Sequence, residues 1–394
     1  TTIDGKSIVC IHVPQADWRM KPVFLNENPY KGSFKRNHEG DYHCTEMEVR
    51  AMIRDANEDG NDGGLLDGFT LDDIDTNTLH GYRNQFRILN ADHDWNDKDD
   101  KEFLRLIGGY TKNRQTGKEG LTVAGLMMFG TGLSIRERFG NFRMDYLDMS
   151  HLEGEERYRD RLTYDGRWEN NLYQFFRIVM PKLTFDLPHP FHMEGYQRVD
   201  DTPQMKAVRE GFTNSIIHSD LFLDSGILRI EKHDDCLCLR NPGNLKLPIE
   251  NIYEGGVSKA RNPRIQNMLR MIGYGENIGS GFPKIISAWQ KAGWGKPELI
   301  DKYELQEVEL RLPIPNETGG QTGGQTGGQT GSPKIIEKVF ELIKDNPYIT
   351  RQELVDKIAI KASAIQKHIE KLKAQKRIER VGSSTFGGHW EIKE

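Results

Sequence analysis

The chain has 394 residues, 36% hydrophobic and 29% charged, with a formal net charge of −5. That length exceeds one ordinary core and predicts two to four domains. The longest apolar run, LTVAGLMMFG, is far too short to span a bilayer, which excludes a helical membrane protein. The acidic balance excludes a nucleic-acid binder that works through its whole surface.

The opening TTIDGKSIVCIHVP runs straight into a strand pattern and reads as a chain that begins inside a domain. SIVCIHVPQ, KPVFLN and GSFKRNHEGDYHCT are rich in Val, Ile, Phe and Tyr and predict short strands. They end at Thr45-Glu46-Met47-Glu48, a capping box that opens the helix EMEVRAMIRDA. Residues 1–55 resemble, through KGSFKRNHEGDYHCTEMEV, the second half of the Schlafen-type AlbA-like domain, a resemblance that implies a nucleic-acid-binding module with Lys35 and Arg36 near phosphates. Cys10, Cys44, Cys236 and Cys238 contain no CxxC pair; reduced, buried thiols in a cytosolic protein are the expectation. Residues 56–75 are acidic and glycine-rich and predict a loop. The segment 65–190 predicts a mostly helical connector.

The segment 191–315 alternates helices and strands, and the chain as a whole reads as multidomain α+β. In REGFTNSIIHSD, Glu210, Asn214 and His218 fall four residues apart on one helix, beside Ala207 and Gly211. With Met205, Val208, Phe212 and Ile216 buried, those three form a polar ridge with room next to it. A carboxylate and an amide one turn apart can hold a water and a hard cation at fixed distance. Downstream, RNPGNL turns the chain after a strand, GGVSKARNP is a glycine-containing loop, and Gly279-Ser280-Gly281 opens a helix. Such glycines let backbone amides approach phosphate at a helix N-terminus.

The order of these segments resembles the Bergerat (GHKL-type) ATP-binding sandwich of gyrase and the histidine kinases. The closer resemblance is to the divergent form at the C-terminus of RecG-related bacterial proteins, carried by REGFTNSIIHSD, RNPGNL and SKARNPRIQNMLRMIGYGENIGSGFPKI. It implies ATP with Mg²⁺, Glu210 as the base that activates water, Asn214 as the metal ligand, and His218, Asn241, Gly243, Gly279 and Gly281 around the nucleotide. Where that family has Asp-x-Gly-x-Gly, this chain has Asn241-Pro242-Gly243-Asn244. A neutral amide would therefore read the base, accepting through its carbonyl. Both an ATPase and a pseudo-nucleotide site stay open. A P-loop helicase is excluded: TGKEG has Glu119 where Ser or Thr must hold Mg²⁺.

The four-residue repeat in NETGGQTGGQTGGQTG, 316–331, predicts a flexible tether of about 20–25 Å. From Ser332 onward 13 Lys and Arg face 9 Asp and Glu, a charge of +4 that leaves −9 for the rest. Residues 332–394 predict three helices and a hairpin, the second helix opening on the capping box Thr350–Glu353. They resemble the winged helix-turn-helix of bacterial regulators. The resemblance implies duplex DNA met by Ser363, Gln366, Lys367 and Lys371 of the third helix, and by Arg380 and Ser383 of the wing. The functional expectation is a cytosolic, dimeric transcriptional regulator with an ATP-binding or pseudo-ATP-binding domain. The alternatives are an ATPase, or a nucleic-acid-directed defence enzyme whose tail recruits substrate, and an oligomeric scaffold.

Overall fold

The computed structural model describes residues 2–3, 6–7, 9, 13, 16–37, 40–185, 187, 193–194, 197–198, 202–224, 226–275, 281–315, 339–344, 346–347, 349–350, 353–354, 362–374, 377–381 and 389–393. Gly279, Ser383 and the tether fall outside them, as do the side chains of Ser363, Lys367 and Arg380. Two compact units are present, Thr1–Gly319 and Gly320–Glu394.

In the first unit an antiparallel pair, β1 (Phe34–Asn37) and β2 (Gly40–His43), leads into α1 (Glu46–Asp55). The capping box forms: Glu48 N donates to Thr45 Oγ1 at 3.2 Å, and Thr45 N donates to Glu48 Oε2 at 2.7 Å. KPVFLN is not a strand. Pro22 offers no amide, and Asn26 and Glu27 take φ of 57° and 60°, which turns the chain and leaves only a bridge from Phe24 to Ser33.

The expected helices follow as α2 (Thr76–Leu89), α3 (Asp100–Ile107), α4 (Val123–Phe129), α5 (Gly132–Arg138) and α6 (Leu172–Thr184). A short pair, β3 (Tyr110–Lys112) and β4 (Glu119–Leu121), lies among them. The same stretch also supplies β5 (Arg143–Asp148) and β6 (Asp160–Leu162), so the mostly helical segment carries strands as well. With β7 (Ile227–Lys232), β8 (Cys236–Pro242), β9 (Glu298–Lys302) and β10 (Glu307–Pro313) they build one six-stranded sheet in the order β9-β10-β8-β7-β5-β6. β5 and β7 run parallel, Arg143 opposite Ile227 and Asp148 opposite Lys232; the other neighbours are antiparallel. The period of two in RMDYLD makes β5 a strand with one buried face, carrying Met144, Tyr146 and Asp148.

Three helices cover the part of the sheet that carries the site. The first is α7 (Pro203–Ile217), N-capped by Thr202 with Pro203 in its first turn. It buries Val208, Phe212 and Ile216 completely. A Cβ added to Gly211 would stand 3.0 Å from Leu310 and 3.1 Å from Leu239, so that glycine lets the helix lie close on β8 and β10. Phe176 of α6 stacks on Phe212 at 4.9 Å, and α10 (Gly281–Ala292) is tied in by Gln204 Nε2 to the Ala288 carbonyl at 3.1 Å. Each fully buried side chain of this size contributes about 1.5–3 kcal/mol. Cys236 and Cys238 share a face with sulfurs 3.6 Å apart, and burial pushes the Cys238 thiol up.

In the second unit, Val339, Ile343, Ile349, Leu354, Ile365 and Ile369 belong to a small core of their own. The box at Thr350 forms, with Glu353 N donating to its hydroxyl at 3.2 Å. Helix α11 (Ala362–Ala374) precedes an antiparallel hairpin, β11 (Ile378–Val381) and β12 (His389–Ile392), which Trp390 Nε1 ties to the Ile349 carbonyl at 3.2 Å.

One helix cap comes from far away in the chain. In α9 (Pro263–Met271) the N-cap Asn262 makes no side-chain cap bond; Ile265 N donates instead to Asp62 Oδ2 at 2.8 Å. Burial pushes the Asp62 carboxyl up from 3.8 to about 6. The folded state thus holds a proton there that the unfolded chain has lost, and stability falls as pH rises from about 4 through 6. Asp62→Asn cannot titrate. Across that window the difference between variant and wild type should therefore shift in the variant's favour by up to about 3 kcal/mol, read by urea unfolding at a series of pH values. Asp62→Ala should lose the cap at every pH, about 1–2 kcal/mol.

Candidate functional site

The polar ridge faces a cavity of about 140 Å³ between α7, α10 and the β8–β10 end of the sheet. Asn214 Nδ2 donates to Glu210 Oε1 at 3.3 Å, so the two predicted residues are in register one turn apart. Gly281, the first residue of α10, lies against both. A Cβ there would overlap Glu210 Oε1 and stand 3.3 Å from Asn214 Nδ2, so a larger residue would have to displace the Glu210 carboxylate. His218 caps the C-terminus of α7, its amide donating to the Asn214 carbonyl at 3.0 Å. Burial, and then the nearby Arg261 guanidinium, push its imidazole down to about 4, so it is neutral at physiological pH.

The turn after β8 divides the predicted pair Asn241 and Gly243. Asn241 is 5% exposed and lines the cavity, its Nδ2 only 3.5 Å from the Pro242 carbonyl. Gly243 does not line it. With φ of 97° its amide donates to the Gln306 carbonyl at 2.6 Å, and a Cβ would meet the Arg261 guanidinium at 2.9 Å. Its role is to let the turn close over Arg261.

Arg261 was not singled out by the sequence, nor were Lys246 and Lys259, although Lys259 and Arg261 stand in a segment that carried the resemblance and Lys246 directly follows another. Arg261 is 2% exposed; its Nε and Nη2 donate to the two Asp55 oxygens at 2.7 Å each, and Nη1 donates to the His218 carbonyl at 2.7 Å. Its remaining bond goes to the Asn244 carbonyl. It is a rivet with its donors engaged. Lys246 and Lys259 line the cavity and form no ion pair among the described residues. Burial, with repulsion from Arg261 and Lys259, brings the Lys246 ammonium down to about 8 despite the pull of Asp55. Val308, Leu310, Leu299 and Ile252 give the cavity an apolar wall. One compartment thus offers a carboxylate, an amide oxygen, two cations and a flat apolar surface, the set that a nucleoside polyphosphate requires.

The donor set also fits Mg²⁺. Glu210 and Asn214 supply hard oxygens, and an ion that keeps several waters and phosphate ligands needs few from protein. Among the described residues no three His, Cys, Asp or Glu gather as an all-protein metal cage.

Elsewhere the predicted contacts divide. Lys35 is paired with Glu48 at 2.8 Å and Glu304 at 3.0 Å, and Arg36 with Asp41 at 3.0 Å, so both basic residues of β1 are engaged within the protein. In the second unit Ile365, Ile369 and Leu372 are buried as expected, while Glu370 and Lys371 are exposed. Gln366 is half-buried and donates to Glu370 at 2.7 Å.

Residues 227–310 match the family model described as "Putative ATP-dependent DNA helicase recG C-terminal", and residues 50–145 match one described as "Domain of unknown function (DUF8451)". No curated protein matches. Among solved structures, the chain is similar to the DIP2311 protein from Corynebacterium diphtheriae, with 12% identity and a TM-score of 0.47, over 92% of this chain and 75% of that one. The 227–310 match begins after α7 and runs from β7 into β10, so the residues of the polar ridge stand outside it. Within its mixed α+β fold the chain carries a RecG-related domain of the ATP-binding type.

Proposed function

We propose that the protein is a cytosolic transcriptional regulator that binds a nucleoside polyphosphate with Mg²⁺ in the α7–α10 cavity and duplex DNA through its second unit, as a homodimer. The observation that carries the nucleotide half is the contact of Glu210, Asn214 and Gly281 inside a cavity whose two lysines have no carboxylate partner among the described residues. In this reading the sheet with α7 and α10 is a Bergerat-type sandwich. Asn214 offers its carbonyl to the metal, and Asn241 meets the base edge as a neutral amide. Magnesium neutralises phosphate charge when bound. Calorimetry with ATP and ADP should show Mg²⁺-dependent binding. Asn214→Ala should weaken it about tenfold to a hundredfold. No heat at millimolar nucleotide would overturn the reading.

A second reading, ATP hydrolysis, is favoured by the position of Glu210, whose carboxylate lies at the cavity end beside Asn214. A carboxylate there can take a proton from an attacking water. Glu210→Gln should remove turnover, measured as phosphate release, while keeping nucleotide affinity within about threefold. Equal turnover in the variant would assign the base elsewhere.

The DNA half rests on the second unit: a small helical core, the exposed Lys371 on α11 and the hairpin that follows it. We read this as a winged helix with α11 in the major groove and the hairpin as wing. The AlbA-like reading of residues 1–55 belongs to the same proposal, in which Lys35 and Arg36 would exchange their carboxylate partners for phosphates. Residues 332–394 should bind duplex DNA with an affinity that falls steeply with salt, and Lys371→Ala should flatten the log–log salt slope by about one unit. An interaction indifferent to salt would point to a protein partner instead.

A further inference from the structure

Just before β1 the chain makes a short 3-10 turn, Trp18–Met20, capped by Asp17 through a 3.0 Å bond from Arg19 N. Trp18 is 7% exposed, unusual for a residue in so irregular a segment. Its indole is buried against the two cavity lysines. Lys246 Nζ stands 4.1 Å from the ring centroid and Lys259 Nζ 5.9 Å from it. Two like charges thus share one aromatic ring, next to a third, Arg261, whose charge Asp55 already balances. Left alone, the ammonium groups would move apart toward water. The quadrupole of the indole holds them without neutralising them, and an ammonium over a ring keeps N–H groups free on its far side.

We propose that Trp18 is a positioning residue of the anion-binding end of the cavity: it holds Lys246 and Lys259 for the polyphosphate of the ligand, so that ligand binding and docking of the segment 16–37 reinforce each other. The inference deepens the nucleotide reading above and names the N-terminal segment as part of that site. The segment has a second hold on the same body through Lys35 and Glu304, whose pairing at 3.0 Å bridges β1 and the turn between β9 and β10. Docking is therefore already favourable, and an anion seated between the lysines adds to it by linkage.

The test uses the full chain with two probes, Mg²⁺-ATP and inorganic tripolyphosphate, in wild type, Trp18→Phe, Trp18→Ala, Lys246→Met and the double variant Trp18→Ala/Lys246→Met. Trp18→Ala should weaken both probes by about fivefold to tenfold, and Trp18→Phe should keep most of the affinity because it retains an aromatic face. The double variant should lose little more than Lys246→Met alone, the non-additivity expected of residues that act through each other. In wild type, hydrogen exchange of amides in 16–37 should slow when either probe is added. Equal affinity of wild type and folded Trp18→Ala, or no added protection of 16–37 on saturation, overturns the inference and leaves the nucleotide reading standing. Binding of tripolyphosphate but not ATP, with the Trp18 effect intact, overturns the nucleotide reading alone. If wild type binds neither probe, both fall.

Discussion

The site depends on one buried charge. Arg261 sits on the loop before α9, yet its guanidinium reaches the end of α1 through Asp55, the end of α7 through the His218 carbonyl, and the turn after β8 through the Asn244 carbonyl. A guanidinium at 2% exposure is tolerable only because its donors are engaged and its charge is met by a bidentate carboxylate. Taking away Asp55 would leave that charge buried and unpaired, a loss of about 3–5 kcal/mol in comparable cases. Arg54, adjacent on α1, adds a second ion pair through one Nη, to the buried Asp220 at 2.6 Å. These two pairs fix the N-terminal helix against the nucleotide-type domain, and they explain why residues so distant in sequence frame one cavity.

Much of this was legible in the sequence wherever the signal was local. The Thr45 and Thr350 boxes each need only four residues, and Thr202-Pro203 announces the start of α7. The four-residue spacing of Glu210 and Asn214 fixed which side chains share a face, and the fold brought Gly281 against them. What stayed hidden was tertiary. RMDYLD is short and looks like any half-buried segment; nothing near it says that its partner is Ile227–Lys232. That Gly243 closes its turn against Arg261 is likewise a tertiary feature, 18 residues apart in the chain. Nothing near Lys246 or Lys259 in the sequence tells that Trp18 lies beside both. Asp62 could not be recognised as a helix cap, because the helix begins some 200 residues later.

The cavity also shows how one helix can serve two ends. The apolar stripe of α7 carries Val208, Phe212 and Ile216 into the core, and its opposite edge carries the polar ridge into the cavity. Ala207 and Gly211 stand between the two, small enough for the sheet to approach. The packing that stabilises the helix is therefore the same packing that orients Glu210 and Asn214, and a loss of volume in the core would be felt at the site.

The parallel pairing of β5 with β7 has a consequence for how the protein is made. The strands are separated by the whole of β6, α6 and α7, and a parallel pair cannot close until that intervening chain is present. During synthesis β5 therefore leaves the ribosome with only β6 to pair along one edge, its other edge open until β7 emerges and its Met144 and Tyr146 waiting for a surface. The half of the sheet that bears the site completes last, after β10, so early folding must be carried by the local contacts of α2 to α4. A chain released before β7 would present an unpaired strand edge of the kind that recruits other chains.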